Sequence, residues 1–544
     1  MTGWLSHGPV LPVLLPAVTA VVLLLLGDQR DDAGAVRLRA ARRIALVSSA
    51  LGLLLALHLA IQAHSGALMV YRLGDWPAPY GISLVVDRLS ALMLVLTAAV
   101  ALPVLLYASD GWDARGRHFH TLFQFQLMGL NGAFVTGDLF NLFVFFEVLL
   151  VASYVLMLHG GGALRLRVGL HYVVPNLAAS ALLLIGVALV YGLTGTLNLA
   201  DLALRVPRVL GADAALLKAA AVLLLVVFGF KAALAPLSLW LPATYAAAGA
   251  PVAALFAIMT KVGVYAILRL HGVVFGDFTA AGPGDSAALV AQPLLLPLAL
   301  ATVGLAVLGV WAAPTLNRLI AWLTVASVGT ILAAVGLYDA VAWSAALYYL
   351  ANSTLTIAGL FLLAELIAEQ RGEIGGRLQP APPVAQPTGL GLLLLLGAVS
   401  VAGLPPLPGF IAKLMLLQAS VDHAAAPALW TAVLVAGFVA LVALARAGTV
   451  LFWGGQGDVV RPLVLASPRR MLAAAALLGA SVAMSGLAAP LLRYTAAAAH
   501  QLTDRAAYAR AVLPQLGGPA ADSAAPYTGH VPGAASSPAL GSAR

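Results

Sequence analysis

The chain has 544 residues, of which 62% are hydrophobic and only 9% charged, with a formal net charge of +8 and no cysteine. Soluble domains run near about 45–50% apolar and about 25% charged, so this composition excludes a water-soluble domain and indicates a polytopic membrane protein. The absence of cysteine excludes disulfides, thiolate metal sites and iron–sulfur clusters, which leaves any redox cofactor to partner chains.

Successive apolar stretches of about 20 residues match a hydrocarbon core about 30 Å thick. Fourteen can be marked, near residues 9–27, 42–62, 88–108, 119–136, 138–158, 168–192, 215–248, 251–272, 293–312, 315–337, 340–368, 388–421, 428–453 and 471–492. The first has no basic segment ahead of it and is too long for the core of a signal peptide, so it reads as a spanning helix. The expected class is an all-α membrane protein forming one membrane domain. From Pro514 the chain turns to Ala, Gly, Pro and Ser, and residues 514–544 read as a disordered tail.

The positive charge follows this pattern. Arg30, Arg37, Arg39, Arg42 and Arg43 come after the first span, Arg115 and Arg117 after the third, and Arg165 and Arg167 after the fifth. Arg371 and Arg377 come after the eleventh, and Arg461, Arg469 and Arg470 after the thirteenth. Odd-numbered loops are therefore predicted to be cytoplasmic, with both termini outside. The basicity is topological, and nucleic acid is not an expected partner.

Two long spans are broken by proline. In Gly229-Phe-Lys231-Ala-Ala-Leu-Ala-Pro236 the proline cannot donate to the carbonyl of Ala232, and Pro405, Pro406 and Pro408 free further carbonyls just before Lys413. Broken spans in corresponding positions point to an inverted-repeat transporter, with its site at the interruptions. Spans four to eight (119–272) and nine to thirteen (293–453) have the lengths of two five-helix repeats, after three N-terminal spans in 1–118 and before a last helix at 471–492. Irregular backbone at membrane depth requires protein or a hydrated cavity beside it.

The chain has four lysines and four glutamates. Lys231, Lys261, Lys413 and Glu147 all fall inside apolar spans, where a charge costs roughly 2.5–3.5 kcal/mol on insertion scales. Burial disfavours an ammonium and a neighbouring carboxylate restores it, which suits a lysine to load and release a proton. The predicted relay is an ion pair of Glu147 with Lys231, Lys261 as the middle station and Lys413 as the distal one. Lys218 stands near a helix start and reads as an interfacial, snorkelling side chain, and Asp138 reads as a helix cap. Glu365, Glu369 and Glu373 read as a solvated face. His171 serves equally as a proton entry or a structural histidine. Tyr172, Tyr245, Tyr265, Tyr348 and Tyr349 either line a hydrated path or bond across helices. No Walker, dinucleotide or HExxH motif occurs, so neither ATP nor NADH is used directly and no cofactor or metal is expected.

The segment Gly129-Leu-Asn131-Gly132 through Gly137-Asp138-Leu-Phe140-Asn141-Leu-Phe143-Val-Phe-Phe146-Glu147 resembles the D-type member of the Mrp-type (Pha, Mnh) multisubunit cation/proton antiporters, relatives of the antiporter-like subunits of respiratory complex I. Further matches are Gly229-Phe-Lys231 to Pro242, Thr260-Lys261-Val-Gly-Val-Tyr265, Leu404 to Lys413, and Ala445-Arg446-Ala-Gly448, so the resemblance spans roughly residues 80–455. It implies fourteen helices with two inverted repeats, and Glu147, Lys231, Lys261 and Lys413 as the charges of a proton relay. Asn352 stands where many relatives have a histidine. The segment 321–328 lacks the serine and glutamine often seen before the corresponding glycine. The step from Lys261 to Lys413 is therefore expected to use water and hydroxyls.

The expected function is a proton-translocating subunit of a Na+(K+)/H+ antiporter complex in a bacterial plasma membrane, not an enzyme, with other antiporter subunits as partners. The alternative is a pump subunit of an NADH-quinone oxidoreductase or membrane-hydrogenase assembly. Against it stand the lack of a long lateral helix after the last span and the lack of a proline in Ala152-Ser153-Tyr154. A third reading makes the charges scaffolding alone.

Overall fold

The computed structural model describes residues 7–27, 32–276, 287–453 and 465–513. The expected tail 514–544, Arg30 and Arg461 lie outside them. The chain is mostly helical. Helices α1 (Leu11–Leu26), α2 (Asp32–His64) and α3 (Arg88–Ala108) come first. They are followed by α4 (Phe119–Val135), α5 (Leu139–Leu158), α6 (Ala163–Thr194), a short α7 (Leu199–Arg205), α8 (Gly211–Ala232), α9 (Trp240–Ala247) and α10 (Ala250–Ile267). The second half holds α11 (Gln292–Trp311), α12 (Leu316–Val335), α13 (Ala340–Gln370), α14 (Pro387–Ala402), α15 (Pro408–Ala419) and α16 (Ala426–Gly448). It ends in α17 (Pro468–Gly486), α18 (Ala488–Thr503) and α19 (Arg505–Val512). Wider π-helical turns extend α10 over Leu268–Val274 and α16 over Thr449–Trp453. Among the described residues, ten helices are long and apolar enough to cross a membrane, or eleven if α17 and α18 count as one bent span.

Three details depart from the sequence reading. An antiparallel pair, β1 (Met69–Arg72) and β2 (Ser83–Val86), interrupts the all-α pattern between α2 and α3. The Ser83 carbonyl accepts from Gly137 N–H at 2.8 Å, tying this hairpin to the α4–α5 connection. Helix α2 begins at Asp32, well before the expected 42, and carries Arg42 out to a bidentate pair with Asp113 at 2.7 Å. The span expected at 471–492 stops at Gly486, where the chain bends by 86° into α18. Pro490 has no N–H to offer the Gly486 carbonyl, and its ring crowds that carbonyl, which accounts for the break.

Helices α10 and α13 form the centre. Helix α10 with its π-turn is buried over its whole length, and α13 packs against α3, α10, α12, α14, α15, α17 and α18. On the outside, α2 and α16 expose Leu54, Ile61 and Phe438, large apolar side chains suited to lipid.

Buried lysines at two helix breaks

Helix α8 ends in a Schellman motif one residue after Lys231. Leu234 N–H bonds Gly229 O at 2.7 Å and Ala233 N–H bonds Phe230 O at 3.0 Å, with Ala233 in the left-handed region at φ 62. The interruption is held by Ala235 N–H to Thr302 Oγ1 of α11 at 2.8 Å and by Trp240 Nε1 to Phe230 O at 3.1 Å. Helix α10 lies directly on this end. A Cβ at Gly263 would sit 2.5 Å from Ala232 N, so only glycine permits the approach.

The Lys231 ammonium is buried and donates to neutral oxygens of α6: Asn176 Oδ1 at 3.2 Å, Asn176 O at 3.3 Å and Ser180 Oγ at 3.4 Å. Glu147, on α5, makes no contact ion pair with it, contrary to expectation. Glu147 Oε1 is buried without a hydrogen-bond partner among the described residues. Tyr154, further along α5, likewise has a buried hydroxyl without a partner among them.

Lys261 sits mid-way along α10, fully enclosed, and its ammonium meets Ser327 Oγ of α12 at 3.1 Å. Ser327 in turn donates to Thr324 O at 2.7 Å, so its oxygen is left facing the lysine as an acceptor.

Lys413, on α15, reaches back across the second break and donates to the carbonyls of Ala402 at 2.9 Å and Val401 at 3.0 Å. These are the last carbonyls of α14, where a cation complements the helix dipole. Prolines 405 and 406 have no N–H to offer them. The chain leaves α14 through Gly403 at φ 81, a position where a Cβ would lie 2.7 Å from the Lys413 side chain.

The remaining candidates resolve as follows. Asp138 caps α5 by accepting from Asn141 N–H at 2.8 Å. His171 is exposed and bonded to Arg167 O on its own helix at 2.8 Å. Tyrosines bond across helices: Tyr172 with Ser153 Oγ at 2.7 Å, Tyr245 to Phe256 O at 2.8 Å, Tyr265 to Phe134 O at 2.7 Å and Tyr348 to Met484 O at 3.0 Å. Tyr349 is buried, and Lys218 is half-buried near the start of α8. Glu365 and Glu369 are not a solvated face. Glu365 accepts from Tyr107 Oη at 2.9 Å and Trp112 Nε1 at 3.0 Å, and Arg470 holds Glu369 at 2.7 Å, with Arg115 at 3.4 Å from each. The reason is tertiary: the end of α13 is enclosed by α3, α17 and the connection after α3.

Outside the spans, two carboxyls are strongly held. Burial works against the ionisation of Asp113, yet the Arg42 guanidinium and His120, at 2.8 Å, hold its carboxyl below the usual carboxylate range. At the opposite end of the bundle burial likewise opposes Asp87, which the Arg269 guanidinium at 2.6 and 2.9 Å keeps below its ordinary value.

Sequence reasoning found the four membrane charges and missed what surrounds them. Asn176, Ser180 and Ser327 are uncharged. The available signal was a carboxamide and a hydroxyl one turn apart in the otherwise apolar stretch 173–190 of α6. Among the described residues no group of three or more His, Asp or Glu converges to hold a metal ion.

A family model described as "NADH:quinone oxidoreductase/Mrp antiporter, TM" matches residues 136–440, a stretch containing Glu147 and all three membrane lysines. The chain belongs to this family. A protein of Rhizobium meliloti, named as the probable D component of a K(+)/H(+) antiporter, is 42% identical over 94% of this chain and 98% of its own length. The D component of the Na(+)/H(+) antiporter of Alkalihalophilus pseudofirmus is 33% identical over 93% of this chain and 99% of its own. Among solved structures, a chain of the Mrp complex from Dietzia sp. superposes with a TM-score of 0.82 at 28% identity, covering 94% of this chain and all of that one.

Proposed function

We propose that this protein is the D-type component of a multisubunit monovalent cation/proton antiporter, translocating protons down their gradient while the complex exports Na+ or K+. The observation that carries the reading is the set of three membrane lysines, each held by neutral oxygens and, among the described residues, none in a contact ion pair. An ammonium locked to a carboxylate would keep its proton. One that rests on carbonyls, hydroxyls and a carboxamide can release it when a charge nearby moves.

In this reading Glu147 and Lys231 form a coupled pair, Lys261 is the central station and Lys413 the terminal one. Helices α1 and α4 and the two halves α14 and α15 complete a count of fourteen spans, with α4–α10 and α11–α16 as inverted repeats broken at residues 233–239 and 403–407. The basic loops lie in the cytoplasm, both termini lie outside, and the complex sits in a bacterial plasma membrane. The antiporter reading is preferred over an oxidoreductase pump because the full-length relatives above carry antiporter names at up to 42% identity.

The deciding experiment is cation/proton exchange in vesicles carrying the complete complex, comparing wild type with Lys231→Ala at equal assembled amounts. Exchange is expected to be lost with assembly intact. Retained exchange would reduce the buried charges to scaffolding.

A further inference from the structure

At the end of the bundle that carries Arg115 and Arg117, a groove of about 510 Å3 opens between α1, α4 and α5. Ligand sites commonly enclose roughly 300–1,000 Å3. The wall is apolar, formed by Leu24 of α1, Leu122 and Phe125 of α4, and Val155 and Leu158 of α5. Leu24 and Val155 are 52% and 47% exposed. Phe125 lies six residues into α4, so the wall runs about 9 Å from the helix start toward the membrane interior.

The mouth of the groove has the opposite character. Arg115 and Arg117 line it. Arg117 is exposed and makes no ion pair among the described residues, and Arg115 reaches Glu365 and Glu369 only at 3.4 Å. Asp113 is held by both Arg42 and His120, so it does not neutralise Arg117. Helix α4 starts at this mouth, and its N-cap residue, His118, gives the first turn no side-chain hydrogen bond. The positive end of the helix dipole therefore faces the mouth uncapped. His159, just past α5, also lines the groove; it is 5% exposed, yet its Nε2 has no hydrogen-bond partner among the described residues. A Cβ at neighbouring Gly161 would meet nothing within 4 Å, which leaves the mouth open.

Arginines at a helix end ordinarily mark the membrane boundary and need nothing beneath them. Here two guanidinium groups, an uncapped helix start and an unsatisfied buried nitrogen sit above an apolar trough that continues to membrane depth. A free anion would leave the trough empty, and a zwitterionic lipid would leave the charge of the mouth unbalanced. The two parts together match an amphiphile with a negative head. Phosphate suits the mouth, because arginine binds it through paired N–H groups and a helix start adds its own. Basic pockets between membrane helices are fitted to such headgroups.

We propose that the groove between α1, α4 and α5 binds an anionic glycerophospholipid, its phosphate held by Arg115, Arg117 and the start of α4, and one acyl chain lying against Phe125 and Val155. None of the three membrane lysines lines the groove, and the site does not depend on which ion the complex moves.

The test reconstitutes the complete complex in phosphatidylcholine vesicles. These contain a trace of either phosphatidylglycerol or phosphatidylcholine bearing the same photoreactive acyl chain, and crosslinked peptides are mapped by mass spectrometry. In wild type, phosphatidylglycerol is expected to label α4 and α5 around Phe125 and Val155 on the order of tenfold more than phosphatidylcholine. At equal assembled amounts, Arg117→Glu is expected to bring phosphatidylglycerol down to the phosphatidylcholine level, and Arg117→Lys to keep most of the preference. Equal labelling by the two lipids in wild type would make the groove ordinary lipid boundary, and no labelling by either would mean that another subunit covers it; both overturn the proposal. An unchanged preference in Arg117→Glu places the lipid elsewhere and overturns it too. So does a preference abolished by inorganic phosphate but not by chloride of equal ionic strength, which would assign the mouth to a free anion. If Arg117→Glu fails to assemble, Arg117→Gln takes its place with the same expectation.

Discussion

Each of the three membrane lysines meets its neighbours through neutral oxygen, and these neighbours make the most direct tests. Ser327 is the partner that Lys261 finds on α12. Ser327→Ala is expected to lower exchange per assembled complex several-fold, read in vesicles, whereas unchanged exchange would mean Lys261 is served by something else. At Gly263 the helices of Lys231 and Lys261 approach so closely that an added Cβ would come 2.5 Å from Ala232 N. Gly263→Ala is expected to destabilise the complex by about 1–3 kcal/mol, the usual range for overpacking, with a lowered unfolding temperature as the measurement. At this scale the sequence revealed the charges, because a lysine in an apolar span is anomalous on composition alone. It hid Asn176, Ser180 and Ser327, because small polar residues are ordinary in membrane helices and only the fold brings them to an ammonium. It also suggested a salt bridge for Glu147 where the structure has a separated pair, since spacing along the chain says nothing of the distance between α5 and α8.

The two interruptions were legible as elements, since proline removes a donor wherever it falls, and the structure breaks both spans within a few residues of the prolines. The geometry at the breaks was less legible. Ala233 adopts a left-handed conformation that glycine enters freely and alanine does not. Ala233→Gly is therefore expected to raise stability by about 1 kcal/mol at unchanged exchange, measured by thermal unfolding. A loss of stability would mean the alanine methyl packs more than it strains. The bend between α17 and α18 had its signal in Pro490, masked by the apolar run on either side. The β1–β2 hairpin had little signal, because its short strands stand among Gly66, Gly74, Pro77 and Pro79 and read as loop.

Across the whole molecule, the ion pairs among the described residues are confined to the two ends of the bundle. One end is clasped by Arg42 with Asp113 and by Arg115 and Arg470 with Glu365 and Glu369; the other is closed by Asp87 with Arg269. Because the Asp113 carboxyl is held below its ordinary value of about 3.9, its stabilising contribution is present above that value and is lost as pH falls through the lower, folded one. Asp113→Asn is expected to lower stability at neutral pH and to flatten the acid limb, followed as unfolding temperature against pH. Parallel acid limbs for wild type and variant would refute the clasp. The complete enclosure of α10 carries a different consequence. Helices in contact with lipid tilt or shift when the bilayer is thicker or thinner than they are. Strain from such mismatch falls on the helices that face lipid, among them α2 and α16 with the exposed Leu54, Ile61 and Phe438, and reaches Lys261 only through the helices packed around α10. The central lysine is insulated from the thickness of its membrane.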